Sequence, residues 1–150
     1  MKKVILVFFF AVLMVMAVTT AKIESEEIKP VKTKDNLPVF TLPETGESDI
    51  VVPAQGEFFI RIKSNITTGY SWELAQPLDK NRVKFIGKVD EDEEGEEDAQ
   101  GRKLLGAPGF ETLKFQAGEP GKGAILLKLV RPWEKGVEPI KKHKINIAVE

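Results

Sequence analysis

The chain has no cysteine in its 150 residues. No disulfide can staple it and no thiolate can act as nucleophile or metal ligand, so its stability must come from packing. It has one histidine, His143, between Lys142 and Lys144 on a strand-like stretch. A single imidazole does not supply the three or four convergent ligands of a zinc site. A serine triad would have to recruit His143, yet no strand-turn-helix elbow surrounds any serine. Carboxylates crowd only between Asp90 and Asp98, where nothing suggests the apolar pocket that lifts a carboxyl pKa for acid–base work. The net charge of −1 gives no basic excess for phosphate backbones, so nucleic acid is not an expected partner. These shortages argue against an enzyme, and no cofactor or metal is expected.

The one extended apolar run lies at the start. Met1-Lys2-Lys3 precedes Val4 to Val18, and Thr19-Thr20-Ala21 follows. A basic start, a short apolar stretch and a small residue at its end describe a secretory signal peptide over residues 1–21. The run falls short of the ~20 residues that span a bilayer, which sets the uncleaved anchor aside. No cysteine follows it to carry a lipid, so the product is expected to be free of the membrane. A monomer is expected. Its expected place is outside the cell, in a periplasm, or within the secretory or vesicular pathway.

Residues 22–36 carry many charges and little apolar pattern, and read as a flexible N-terminal segment. Ordered structure is expected over 37–150. Leu37-Val39-Phe40 suggests a first strand, with a turn at Pro43, Gly46 and Ser48. Ile50-Val51-Val52 stops at Pro53. Phe58, Ile60 and Ile62 alternate with Phe59, Arg61 and Lys63, the period-two pattern of a half-buried strand. Trp72 and Leu74 form the next apolar face. Val83, Phe85 and Val89 form another, with Gly87 as a bulge. Leu113, Phe115 and Ala117, then Ile125, Leu127 and Leu129, then Ile145, Ile147 and Val149, repeat the alternation. No stretch shows a helical period. The expected fold is all-β, an immunoglobulin-like β-sandwich of about seven to eight antiparallel strands, with a small barrel as the alternative.

The acidic run at 90–98 invites a calcium reading, because Asp90, Asp92, Glu94 and Gly95 match the first half of an EF-hand loop. The bidentate Glu required at its twelfth position falls on Gly101, and strand and loop flank the run in place of helices. A solvated loop held open by self-repulsion is the simpler reading.

Three short motifs lie between strand-like segments. The first is Asn65-Ile66-Thr67-Thr68-Gly69-Tyr70. The second is Gly106-Ala107-Pro108-Gly109 after Leu104-Leu105, and the third is Arg131-Pro132-Trp133. Asn65, Thr67 and Thr68 can bond back to nearby main chain and stiffen a loop, while Gly69 admits positive φ. The glycines of the second motif suit close main-chain approach to a partner. Trp133, beyond the end of a core strand, is either a lid on the core or an exposed anchor. Alternate connections of a sandwich gather at one end, so the three could form one edge.

In this order the motifs resemble the chagasin family of cysteine-peptidase inhibitors, over roughly residues 45 to 150. The family's first loop is Asn-Pro-Thr-Thr-Gly followed by an aromatic. Asn65, Thr67, Thr68, Gly69 and Tyr70 match it, and Ile66 replaces the proline. Its second loop is glycine-rich after a Leu-Leu pair; Leu105, Gly106, Ala107 and Gly109 fit, with Pro108 where glycine is usual. Its third, Arg-Pro-Trp, is met in full by Arg131, Pro132 and Trp133. The resemblance implies reversible occlusion of a papain-like peptidase. The first loop would lie over the catalytic Cys-His pair, Trp133 would pack beside it on the primed side, and Arg131 would steady the loops. Ile66 also creates the sequon Asn65-Ile66-Thr67, and the active protein is expected to carry no sugar there. The competing readings are an immunoglobulin-like adhesion or carbohydrate-binding module and a calcium-responsive structural domain.

Overall fold

The computed structural model describes residues 25–89 and 109–150. The signal peptide expected over 1–21, the acidic run at 90–98, and Leu105, Gly106 and Ala107 lie outside the described residues.

Among the described residues ten strands follow one another: β1 (Glu26–Glu27), β2 (Val31–Lys32), β3 (Pro38–Leu42), β4 (Gly46–Val52), β5 (Glu57–Ser64), β6 (Ser71–Leu74), β7 (Val83–Val89), β8 (Gly109–Ala117), β9 (Gly121–Val130) and β10 (Lys141–Val149). A 3-10 turn at Ile66–Thr68 is the one helical element among the described residues. β1 and β2 are two-residue pairings in the segment read as flexible, and both are exposed. The eight longer strands agree with the expected number.

The strands form two five-stranded sheets, ordered β1-β4-β10-β9-β6 and β2-β3-β5-β8-β7. Their inward faces follow the alternation in the sequence. Phe40, Phe58, Ile60, Ile62, Leu113 and Phe115 from one sheet meet Ile50, Trp72, Ile125, Leu127, Ile145 and Ile147 from the other, all of them buried. Phe58 stacks on Phe115 at 5.5 Å between ring centroids, and Phe40 meets Phe58 edge-on at 6.2 Å.

Three local details differ from the sequence reading. The strands are not all antiparallel, since β4 runs parallel to β10 and to β1, and β3 runs parallel to β5. The last pairing follows from chain path: β4 crosses to the other sheet, so β5 returns in the direction of β3. The turn expected at Pro43, Gly46 and Ser48 is confined to residues 43–45, and β4 begins at Gly46. Ser48 lies inside, where its Oγ shares a 3.0 Å hydrogen bond with His143 Nε2. In β7 the register slips between Phe85 and Gly87, as the glycine suggested, but only Val83 is buried; Phe85 and Val89 are partly exposed on this edge strand.

Candidate peptidase-binding edge

The strand registers bring the three connections to one end. Ser64, where β5 ends, pairs with Gly109, where β8 begins. Val89, where β7 ends, pairs with Thr112, near the start of β8. Ser71, where β6 begins, pairs with Val130, where β9 ends, and Lys141 at the start of β10 pairs with Leu129. The chain therefore leaves β5, β7 and β9, and enters β6, β8 and β10, at the same end.

The first connection is a stiff knuckle. Asn65 O accepts from Thr68 N at 3.1 Å and from Thr68 Oγ1 at 2.6 Å, while Asn65 Oδ1 accepts from Thr67 Oγ1 at 2.6 Å. These bonds close the 3-10 turn and leave Thr67 and Thr68 exposed at its crest. Gly69 then takes φ of +76°, which most side chains avoid. Tyr70 turns back and packs against the core at the base of the loop.

The third connection opens with a tight turn in which Glu134 N donates to Arg131 O at 3.0 Å. Pro132 is the second residue of this turn, where its fixed φ is favoured, and Trp133 is the third. The open question about Trp133 is settled: it is an exposed side chain, 66% accessible, not a core lid.

The two connections are joined. Arg131 Nε donates to Thr68 O at 3.2 Å, its guanidinium lies 4.5 Å from the centre of the Tyr70 ring, and it forms a 3.0 Å ion pair with Glu134. The bond to Glu134 raises the arginine pKa further, so the cation persists at any working pH. The outer edge of the Trp133 indole rests over Gly69. Asn65, Thr67, Thr68, Gly69, Tyr70, Arg131, Pro132 and Trp133 thus share one edge, and Gly109 lies at the base of the second connection.

A family model described as chagasin family peptidase inhibitor I42 matches residues 51–147. The chain belongs to the chagasin family. Its members inhibit cysteine peptidases and are not enzymes. Amoebiasin-2 of Entamoeba histolytica is 26% identical over 91 residues, covering 60% of this chain and 68% of that protein. The solved cysteine protease inhibitor EhICP2 of the same organism superposes with a TM-score of 0.56 at 20% identity, over 75% of this chain and 96% of that one, which shows the shared immunoglobulin-like fold. PbICP-C, solved in complex with falcipain-2, gives a TM-score of 0.45 at 20% identity, covering 73% and 98% of the two chains.

The chagasin motifs do not include a second group beneath the loops, which the sequence reading missed. Glu111, in β8, points inward with a side chain only 9% accessible. Its carboxylate accepts from Ser64 Oγ at 2.6 Å, Ser71 Oγ at 3.0 Å, Trp72 N at 3.2 Å and Lys88 Nζ at 2.7 Å. Lys88 Nζ also donates to Ser71 Oγ. Trp72 Nε1 donates to Lys63 O at 3.0 Å close by. The signal was present: counting back by two from Ala117, Phe115 and Leu113 lands on Glu111, a charge in the inward phase.

Proposed function

We propose that this chain is a secreted, reversible inhibitor that occludes the cleft of papain-like cysteine peptidases with three loops. The observation that carries the reading is the joined edge, in which a self-bonded knuckle, Thr67 to Gly69, stands beside an exposed tryptophan and is braced to it through Arg131. Papain-like enzymes hold a low-pKa thiolate beside a histidine at the floor of an extended groove. A stiff knuckle over that pair excludes substrate. It escapes cleavage while no carbonyl reaches attack geometry, about 3 to 3.5 Å from the sulfur and aligned with it. Trp133 supplies the large, rigid aromatic that interface hot spots favour. Gly109, where the second connection enters β8, stands against Ser64 at the foot of the knuckle. A protease–inhibitor interface buries roughly 1,600 Å² in total, and a preorganised edge keeps the ordering cost low. The leader-like residues 1–21 support release into a secretory compartment.

Residues 22–150 titrated into papain and into a serine peptidase test this. Inhibition of papain alone, reversed on dilution, is the expected result. Inhibition of both enzymes, or of neither, overturns it.

A further inference from the structure

An inward-facing carboxylate near the end of a core strand is costly unless its oxygens are satisfied. A well-packed apolar residue of similar volume would serve stability as well or better. Glu111 therefore invites a reason beyond holding the sandwich together, and its partners supply one. Ser64 is the last residue of β5 and Ser71 the first of β6, so they are the two feet of the knuckle. These feet stand in different sheets. β5 is hydrogen-bonded to β3 and β8, and β6 to β9, so no ladder spans the gap between them. The Glu111 carboxylate spans it, with Oε1 accepting from Ser64 and Oε2 from Ser71. Lys88 from β7 approaches Oε2 from the solvent side and completes the set of four donors on the carboxylate.

We propose that Glu111 is a positioning residue for the inhibitory loop: its carboxylate, held by Lys88, ties Ser64 to Ser71 and so sets the spacing from which Asn65 to Tyr70 arch. The proposal rests on the inhibitory reading of that loop. A knuckle with its feet clamped meets the peptidase in its bound shape and withholds its carbonyls from attack. A knuckle with loose feet pays the ordering entropy on binding and samples cleavable geometries.

The test compares Glu111→Gln with Val149→Ala, a buried position at the far end of β10, chosen as a control of similar thermal destabilisation. Glu111→Gln is expected to weaken papain inhibition by about tenfold or more and to release fragments cut within residues 65–70 on long incubation. Val149→Ala is expected to inhibit within about twofold of the parent and to stay intact. Hydrogen exchange at the Thr68 amide should quicken in Glu111→Gln and not in Val149→Ala. Ser71→Ala, which removes one foot and keeps the charge, should shift all three readouts the same way by less, and it serves if Glu111→Gln fails to fold. Unchanged inhibition and exchange in Glu111→Gln, or equal losses in Val149→Ala, would overturn the proposal. If the parent protein leaves papain untouched, the inhibitory reading fails by itself, and the exchange comparison still decides whether Glu111 holds the loop.

Discussion

The Trp133 indole lies so close over Gly69 that a β-carbon added to the glycine would sit 2.3 Å from the ring. Glycine suits the position twice: by its φ of +76°, and because any side chain would have to displace the ring above it. The two residues lie on different connections, and their contact makes a single surface of two loops.

Gly69→Ala should act on both requirements. The left-handed backbone costs an alanine about 1–2 kcal/mol, which thermal unfolding will register. The exposed indole can swing aside, so the fold survives, but Trp133 loses its seat. Papain inhibition should fall by more than the loss of stability accounts for. An inhibition constant equal to the parent's would show that the seat is irrelevant to binding.

Trp133→Ala removes the exposed aromatic without opening a core cavity. Binding to papain should weaken by about 2 kcal/mol, as truncation of a hot spot does. The unfolding midpoint should stay within error, because the side chain is mostly in solvent. Inhibition kinetics beside a calorimetric scan separate the two effects.

Arg131→Lys keeps the charge and discards the planar fork. The Nε donor to Thr68 O goes, and the stacking over Tyr70 weakens. A loss of about 1 kcal/mol in inhibition is expected, with little change in stability because the half-buried group packs outside the core. The inhibition constant of the purified variant checks it.

His143 makes the fold acid-sensitive in a defined range. Burial pushes its pKa below the ordinary 6.5, while the nearby Thr45 main chain and the Glu47 charge pull the other way. The unfolded chain thus binds this proton more tightly than the folded one. Stability is level above about pH 6.5, falls as pH drops below it, and levels again once the lowered folded-state pKa is passed. Glu47 and Asp49 act in a lower range. Their pKa values lie below 4.5 and 3.8, through bonds from Lys144 and Asn146 to the first and from Ser25 and Asn146 to the second, so their contribution is lost only in stronger acid. Denaturant titrations at pH 8, 6.5 and 5 should show the first drop, and His143→Gln should flatten it.

Much of the fold was legible because apolar alternation reports a strand and its buried face without reference to any partner. Phe58-Ile60-Ile62 and Ile145-Ile147-Val149 show this directly. Partner and direction are decided by long-range closure, so the parallel pairing of β4 with β10 left no trace in either segment. Ser48 was read as a turn residue because its buried partner, His143, lies 95 positions away. At the edge, local chemistry told of threonines that bond back and a glycine at positive φ, but it left Trp133 as either lid or anchor, and the choice of loop residues came from the family resemblance. Glu111 escaped because motif reading favours loops, whereas its meaning depends on which strand ends the fold brings beside it.

The central place of β10 between β4 and β9 has a consequence for biosynthesis. Until Val149 has emerged from the ribosome, Gly46–Val52 has no long neighbour in its sheet, and Ile50 and Val52 face an unfinished core. Closure of this sheet therefore waits on β10, a pairing of high sequence separation that is slow to form.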